Sequence, residues 1–421
     1  MRLNVTNEIG KLKSVLVHLP GREIDVMVPP MMAQLLFDDI LYGQNAREEH
    51  RRFQQLIRFV ADDVYDLQDL LEEVLEDPEV KEQIVRDLGK RNRLKRKFVS
   101  FLLETPAPVL AETLIAGVAR ETVSGELPQF DLFPIPNLFF MRDPQVVIGD
   151  RVVVSSMATQ ARRRESLLSK YVFQNHPLFR SETPFWVDFM ANEPERPMQR
   201  KMPTIEGGDI LVPRRDMLLI GVTERTNKAG VEELIRALKA ANAGVKTVIV
   251  VDIPRQRSFM HLDTIFTLIN RHECLFYPPV ILPSGSQAAK VTSVDLTKRT
   301  ITYSEQKSLL SALKKHKMDV EPIFCGGSNA IDQQREQWTD GANAFALAPG
   351  IILLYERNVR TAEELARHGY HIVYEDDLLL GRTELETWTD KKYAIQIAGN
   401  ELARARGGPR CMTMPLEREE I

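Results

Sequence analysis

The feature that most constrains the fold is a short pattern that recurs four times in the second two-thirds of the chain. In each copy an Asp or Asn precedes a short apolar run, a turn follows, and a second apolar run comes after the turn. The copies open at Asp143, Asp209, Asp263 and Asn343. Short apolar runs separated by turn residues predict β-hairpins. Apolar residues at helical spacing follow at least two copies, around residues 231–240 and 361–368.

A strand–turn–strand–helix module of this size cannot bury its apolar face alone, so the modules are expected to pack together around an axis. The apolar run at residues 15–17, which is closed by Pro20 and Gly21, supplies a fifth module in this interpretation. The pattern therefore predicts an α/β fold built as a closed ring of five modules. The four opening residues would then converge near the axis, where clustered carboxylates need cationic partners.

The pattern of apolar residues changes between about residues 45 and 124, where they recur at helical spacing and no strand pattern is evident. We interpret residues 45–124 as an inserted α-helical subdomain, and residues 1–44 and 125–421 as the α/β domain. The basic run at residues 90–97 is interpreted as a solvated helix face.

Composition excludes several functional classes. The net charge of −4 argues against a general nucleic-acid binder. The three cysteines, Cys274, Cys325 and Cys411, are widely spaced and form neither a disulfide framework nor a zinc pattern, which favours a reducing compartment. No apolar run approaches the length of a membrane span, and the first residues have no signal-peptide core. We expect a cytoplasmic protein that binds neither nucleic acid nor membrane.

Cys411 is the candidate reactive residue. It follows Gly407, Gly408 and Pro409 and precedes a short apolar run that predicts a strand. A buried structural role is the usual interpretation of a lone cysteine. A reactive role is favoured instead if polar side chains from elsewhere in the chain lie next to Cys411. The stretches 137–144, 205–209 and 260–264 could supply them.

These stretches suit a planar cation with an electrophilic carbon, such as a guanidinium group. Carboxylates bind the N–H groups of a guanidinium in pairs. Strand alternation puts His261 and Asp263 on one face. The guanidinium carbon is poorly electrophilic, and a thiolate is the best protein nucleophile for it. Because carboxylates raise the pKa of a nearby thiol, we hypothesise that the Cys411 thiolate forms largely when the cationic substrate binds.

The sequence strongly resembles the arginine deiminases of the guanidino-group-modifying superfamily. The resemblance spans essentially the whole chain and rests on the stretches 140–144, 205–209, 260–264 and 410–415 taken together. It implies a five-bladed α/β propeller of pseudo-fivefold symmetry, built from ββαβ modules. It also implies hydrolysis of L-arginine to L-citrulline and ammonia without metal or organic cofactor, and a homodimer or larger homo-oligomer.

The resemblance implies a catalytic role for each residue of the constellation. Cys411 attacks the guanidinium carbon and carries the amidino intermediate. His261 protonates the departing ammonia and then activates water. Asp143 and Asp263 hold the guanidinium nitrogens, and Glu206 orients His261.

A second set of residues is expected at the other end of the substrate. Arg162 and Arg225 match the carboxylate-binding arginines of the family, and Asn137 matches a polar contact to the same end. Arg406 matches a mobile loop arginine that covers the pocket. Asp209 is expected to support the same group of residues.

Three other classes of function stay open at this point. An amidinotransferase or an agmatine deiminase would use the same cysteine, although the helical insertion and the carboxylate-binding arginines favour the arginine hydrolase. A Cys–His peptidase is disfavoured because an acyl transition state needs oxyanion donors instead of carboxylates. A non-catalytic arginine sensor would not need Cys411, His261 and Glu206.

Overall fold

The computed structural model describes residues 1–120, 127–179, 181, 184–191 and 202–421. The strands are β1 (Leu12–Val17), β2 (Asp63–Asp66), β3 (Val118–Ala119), β4 (Phe130–Leu132), β5 (Gln145–Ile148), β6 (Arg151–Val154), β7 (Phe185–Asp188), β8 (Ile210–Arg214), β9 (Met217–Val222), β10 (Thr247–Asp252), β11 (Phe266–Asn270), β12 (Glu273–Phe276), β13 (Lys290–Asp295), β14 (Thr302–Gln306), β15 (Glu321–Phe324), β16 (Phe345–Ala348), β17 (Ile351–Tyr355), β18 (Tyr370–Tyr374), β19 (Lys392–Ile397) and β20 (Met414–Arg418). The helices are α1 (Arg22–Asp25), α2 (Pro29–Leu35), α3 (Gly43–Ile57), α4 (Leu67–Leu75), α5 (Pro78–Arg91), α6 (Arg96–Glu104), α7 (Ala107–Ala116), α8 (Arg163–Asn175), α9 (Lys228–Ala240), α10 (Pro278–Ile281), α11 (Leu309–Lys315), α12 (Ala330–Trp338), α13 (Val359–Arg367) and α14 (Glu375–Leu379).

Five of the six sheets formed by the described strands share one arrangement, and the sixth is the antiparallel pair β3–β4. The four predicted hairpins are confirmed as the antiparallel pairs β5–β6, β8–β9, β11–β12 and β16–β17. The second strand of each hairpin also pairs in parallel with a later strand, which is β7, β10, β15 and β19 respectively. Helices α8, α9, α11 and α13 lie within these crossovers. The architecture is mixed α/β, as the sequence predicts.

The fifth sheet joins the two ends of the chain. β1 pairs in parallel with β2 and antiparallel with β20, so that Val15 lies opposite both Val64 and Pro415. The hairpin position that other sheets fill with consecutive strands is therefore filled here by β20 and β1. The fifth module predicted from the N-terminal strand thus depends on the C-terminal strand for its antiparallel partner, and Cys411 lies directly before that strand.

The helical region differs from the expectation of helices throughout residues 45–124, because it contains the two strands β2 and β3. β2 lies inside that range and hydrogen-bonds to β1, because its short alternating segment completes the fifth sheet. Helices α4 to α7 follow it. The carboxylate of Asp66 accepts from Gln68 N and caps α4, and Asp77 caps α5 in the same way. The expected boundary between residues 124 and 125 lies outside the described residues.

Helices α4 to α7 share one apolar core with the sheet of β5 and β6. Leu71 and Leu114 belong to the same buried cluster as Val152 of β6 and Val172 of α8. The helical segment therefore packs directly on the module that carries Asp143. Within the described ranges, no helix has both the length and the apolar character needed to cross a membrane.

Candidate active site

The residues that open the five hairpins are linked in a closed circuit of hydrogen bonds. Each link joins one opening segment to the next, and Asp209 N also bonds to Glu206 O within its own turn (3.1 Å). The links run from Gly207 N to Asp143 O (3.0 Å), Leu262 N to Asp209 Oδ1 (2.8 Å), Asn343 Nδ2 to Asp263 O (3.0 Å), Cys411 N to Asn343 Oδ1 (3.1 Å) and Arg142 N to Cys411 O (3.0 Å). The predicted convergence of Asp143, Asp209, Asp263 and Asn343 is confirmed, and Cys411 occupies the fifth position.

Cys411 is 5% exposed, and its thiol lies among carboxylates. Its Sγ atom is 4.0 Å from Oδ2 of Asp263. Burial, followed by the negative charges of Asp263, Asp143 and Asp340, raises the pKa of this thiol well above its ordinary value. The thiol of the free protein is therefore protonated at neutral pH, and a cation bound beside it would favour the thiolate.

His261 is held between two carboxylates. Its Nε2 lies 2.8 Å from Oε2 of Glu206, and its Nδ1 lies 3.6 Å from Oδ1 of Asp143. Burial alone would lower the pKa of His261, but the charge of Asp143 and the hydrogen bond to Glu206 raise it to about 10. Burial would likewise raise the pKa of Glu206, and the bond to His261 with the charge of Arg225 lowers it to about 2. His261 is therefore a buried cation that can give up a proton.

Asp143 and Asp263 each have one oxygen that makes no hydrogen bond, and that of Asp143 lies 3.6 Å from Nδ1 of His261. Oδ2 of Asp143 pairs with Nη1 of Arg162 at 2.7 Å, and Oδ2 of Asp263 pairs with Nη1 of Arg410 at 2.7 Å. Oδ1 of each carboxylate is buried and has no hydrogen-bond partner. Two such oxygens beside a thiol are suited to accept hydrogen bonds from a planar cation.

Two buried arginines supply the cationic partners that clustered carboxylates require. Arg162 also donates to Glu165 through Nε (3.1 Å) and Nη2 (2.8 Å). Arg410 also donates to Oε2 of Glu8 through Nε (3.2 Å) and Nη2 (3.1 Å). Each arginine thus links a site carboxylate to a second buried carboxylate behind it.

Arg225 and Arg406 are buried but have unused donors. Nε and Nη1 of each guanidinium lack a hydrogen-bond partner. Nη2 of Arg225 lies 3.7 Å from Sδ of Met260, and the guanidinium of Arg406 stacks 3.4 Å above the ring of Trp338. Buried guanidinium groups with free N–H donors are suited to an anionic group such as a carboxylate.

Asn137 and Arg162 are committed to protein partners. Nδ2 of Asn137 donates to Leu35 O at 2.7 Å, and the main-chain carbonyl oxygen of Asn137 accepts from Nη2 of Arg162 at 3.4 Å. The guanidinium of Arg162 therefore contacts Glu165, Asp143 and Asn137 rather than presenting free donors. Their expected contact with a substrate carboxylate stays a prediction.

Asp209 supports the loop that carries His261. Its Oδ1 accepts from Leu262 N and its Oδ2 accepts from Thr223 Oγ1, each at 2.8 Å. Burial raises the pKa of Asp209 to about 7. Asp209 therefore joins the turn after β9 to the segment between His261 and Asp263.

Part of the site has the geometry of a metal-binding group, whereas the two other cysteines lie buried elsewhere. Ligand atoms of Asp143, Glu206 and His261 lie within 4.8 Å of one another, so this group could hold a metal ion. The guanidinium of Arg162 already supplies positive charge to Asp143 there. Cys274 and Cys325 are buried, and burial raises the pKa of both thiols, which fits a structural role for them.

Two residues near Arg406 were not recognised as functional from the sequence. Trp338 is half exposed, and its ring covers Arg406. Asp340 is 2% exposed, and its Oδ2 has no partner. The available signal was the Asp340–Gly341 turn that leads from α12 into the segment of Asn343.

Comparison with known proteins shows which family this chain is similar to. The family model described as arginine deiminase matches residues 33–130 and 118–418. The chain is 36% identical over 441 residues to arginine deiminase of Clostridium perfringens (strain SM101 / Type A), with 100% of this chain and 98% of the relative covered. It is 34% identical over 442 residues to arginine deiminase of Streptococcus sanguinis (strain SK36), with 100% and 99% covered.

Solved structures share the fold at lower identity. An amidinotransferase from Microseira wollei in the saxitoxin biosynthetic pathway superposes with a TM-score of 0.53 at 14% identity, covering 100% of this chain and 98% of the other. The N-terminal domain of ArgZ, an arginine dihydrolase in cyanobacteria, gives a TM-score of 0.51 at 14% identity, covering 96% and 98%. The family model and the two full-length relatives show that this chain belongs to the arginine deiminase family.

Proposed function

We propose that this protein hydrolyses L-arginine to L-citrulline and ammonia. Family membership supports this activity. The observation that carries it is the pair of buried Oδ1 atoms of Asp143 and Asp263 that make no hydrogen bond, on two carboxylates whose charges act on the thiol of Cys411. A guanidinium between these carboxylates would satisfy both oxygens and bring its carbon next to the sulfur.

In the first half-reaction the bound cation offsets the negative charge of the carboxylates, and the Cys411 thiol loses its proton to solvent. The thiolate attacks the guanidinium carbon and forms a C–S bond. His261, which is protonated in the free protein, donates a proton to the terminal nitrogen that leaves as ammonia. The product of this step is an amidino group covalently bound to Cys411.

In the second half-reaction the neutral imidazole of His261 removes a proton from water. The resulting hydroxide attacks the same carbon, the C–S bond breaks, and citrulline leaves with the oxygen from water. Glu206 keeps His261 oriented throughout, because its carboxylate accepts the Nε2 hydrogen bond at 2.8 Å. The reaction uses the protein's own residues and needs neither a metal nor an organic cofactor.

The carboxylate of L-arginine would be bound at the other end by Arg225 and Arg406, whose Nε and Nη1 donors are free. Asn137 and Arg162 would border the same end, and Asp209 would hold the His261 loop in place. This set favours L-arginine over agmatine, since agmatine lacks a carboxylate for the arginines.

A citrulline assay on the purified protein and on Cys411→Ser tests the proposal. We expect citrulline and ammonia in equal amounts from the wild type, and no turnover with retained arginine binding in the variant. Incubation with arginine and glycine provides the control for group transfer. Guanidinoacetate in place of citrulline would contradict the proposal and would indicate an amidinotransferase.

We further propose that the five sheets pack as the blades of a five-bladed α/β propeller with ββαβ modules, with β20 and β1 closing the ring. The closed circuit of hydrogen bonds among the five opening segments supports this arrangement. In this proposal residues 1–44 and 125–421 form the catalytic domain, and the inserted helical subdomain of residues 45–124 has α4 to α7 as its main part.

Two properties of the protein in the cell complete the proposal. A reactive thiol and two further free cysteines favour a reducing compartment, and we propose the cytoplasm. The family resemblance supports a homodimer or larger homo-oligomer, and Phe101 and Val109 of the helical subdomain offer exposed apolar surface for it. Light scattering on the purified protein would measure the oligomeric state.

A further inference from the structure

Asp340 is a buried carboxyl group that the proposed reaction does not use. It is 2% exposed, and its Oδ2 atom has no hydrogen-bond partner. Its backbone has a φ of 60° in the turn between α12 and β16. Asp tolerates this left-handed conformation, but Asn and Gly do so without burying an ionisable group. The turn alone therefore does not explain the carboxyl group.

The surroundings of Asp340 place it at one end of the site. Asn343 N donates to Asp340 O at 2.9 Å, and Asn343 Oδ1 accepts from Cys411 N at 3.1 Å, so the turn of Asp340 is hydrogen-bonded to the residue that holds the Cys411 backbone. The charges of Arg406 and Asp263 act on the carboxyl group of Asp340, and its own charge acts on Cys411. Arg406 nevertheless keeps Nε and Nη1 free of partners, so the two opposite charges are near each other without a hydrogen bond between them. A buried acid and a buried base that leave their polar atoms unused can both be satisfied by one zwitterionic ligand.

The substrate matches this set of unused groups. L-Arginine carries two cations and one anion. The guanidinium would take Oδ1 of Asp143 and Oδ1 of Asp263, and the α-carboxylate would take donors of Arg225 and Arg406. Of the buried carboxylate oxygens without a partner in the described part of the chain, the remaining one is Oδ2 of Asp340, and the remaining substrate group is the α-ammonium.

We propose that Asp340 is a specificity-determining residue that accepts a hydrogen bond from the α-ammonium group of L-arginine. This inference rests on the proposed arginine hydrolysis and adds a binding residue to it. Asp340 then binds the α-ammonium group of the substrate, and Arg406 binds its α-carboxylate. The burial of Asp340 raises its pKa to about 7, and a bound ammonium favours its ionised form.

The test compares L-arginine with 5-guanidinopentanoate, which keeps the guanidinium and the carboxylate but lacks the amino group. Asp340→Asn keeps the shape of the side chain and removes its charge. We expect kcat/KM for L-arginine to fall about 10- to 100-fold, mainly through KM, because one charge-assisted hydrogen bond is lost. For 5-guanidinopentanoate we expect kcat/KM to stay within a few-fold of the wild-type value.

Two variants complete the design. Asp340→Gly permits the same backbone conformation without any carboxyl group, so it tests the inference if the Asn variant fails to fold. Asp332→Asn, a partly exposed residue of α12, is the matched control and should leave both substrates unchanged. Equal losses for both substrates in the Asp340 variants, or no loss for either, would overturn the inference. If the wild type formed neither citrulline from L-arginine nor 5-ureidopentanoate from 5-guanidinopentanoate, the proposed function would instead be refuted.

Discussion

The imidazole Nε2 of His261 lies 2.8 Å from Oε2 of Glu206, and both side chains are buried. The pKa of His261 is raised to about 10 and that of Glu206 is lowered to about 2. Because the pKa of His261 is raised in the folded protein, its full contribution to stability is present below about pH 6.5, the pKa of histidine in the unfolded chain. This contribution is lost as pH rises through about 10. Because the pKa of Glu206 is lowered, this carboxyl group stabilises the folded protein above about pH 4.3, and the stabilisation is lost as pH falls through about 2.

Glu206→Gln should therefore destabilise the protein and lower the pKa of His261. Removing one partner of a buried ion pair typically costs about 3–5 kcal/mol. Urea denaturation at neutral pH would measure the loss, and NMR titration of the His261 ring would measure the pKa. Glu232→Gln, on the exposed side of α9, is the control and should change neither quantity. An unchanged His261 titration in Glu206→Gln would contradict the assignment.

The thiol of Cys411 should ionise more readily when a guanidinium is bound. Burial and the charges of Asp263 and Asp143 raise its pKa in the free protein, and a cation between these carboxylates opposes their effect. The difference in ultraviolet thiolate absorbance between the wild type and Cys411→Ser, titrated with and without methylguanidine, measures the change. Asp263→Asn should lower the thiol pKa without any ligand. Equal thiol titration with and without methylguanidine would refute the hypothesis.

The parts of the fold that depend on local pattern are predictable from the sequence. The hairpins after Asp143 and Asp209 follow from an apolar run, a turn and a second apolar run within about a dozen residues. Recognising them as repeats was enough to predict that their opening residues meet. Strand β2 escaped prediction because it has only four residues and is flanked by helical patterns, and its pairing with β1 decides its conformation.

Contacts between distant parts of the chain are not visible in such patterns. The bond from Arg410 to Glu8 spans 402 residues, and no local feature of Glu8 indicates it. Arg162 matched a carboxylate-binding position, yet Glu165 three residues later accepts from its guanidinium. The i,i+3 spacing of these two residues on a helical turn was the signal for that pair. Asp340 lay in a turn where Asp is common, so only its burial and lack of a partner distinguish it.

Arg225→Gln should weaken binding of the substrate carboxylate. The two free donors Nε and Nη1 of Arg225 would be lost, and charge-assisted hydrogen bonds contribute about 1.5–3 kcal/mol each. We expect kcat/KM for L-arginine to fall at least about tenfold. Agmatine, which lacks the carboxylate, serves as the control substrate and should lose much less. A similar loss for both substrates would show that Arg225 acts instead through Glu206, which feels its charge.

Glu8→Gln should destabilise the fold through Arg410. Burial would raise the pKa of Glu8, but the charges of Arg410 and Arg142 lower it, so its contribution is present above about pH 4.3 and is lost as pH falls toward the lowered value. At neutral pH the loss should be about 3 kcal/mol, since Arg410 keeps Asp263 as a partner. Urea denaturation over a pH series measures it. The wild type and the variant should converge in acid, and a difference that is constant with pH would contradict the ionic origin.

Gly208→Ala should impair catalysis by displacing His261. A Cβ at this position would lie 2.8 Å from Cγ and Nδ1 of the His261 ring and 2.9 Å from Oδ1 of Asp143, which is closer than side-chain contacts allow. The ring must move, and a misplacement of about 1 Å can reduce a rate about 100-fold. We expect kcat to fall by that order while the protein stays folded in thermal denaturation. Gly244→Ala, where a Cβ meets nothing within 4 Å, is the control: its φ of 80° should cost stability by about 1 kcal/mol and leave kcat unchanged. Full activity in Gly208→Ala would mean that the imidazole need not stand between Glu206 and Asp143 for the reaction to proceed.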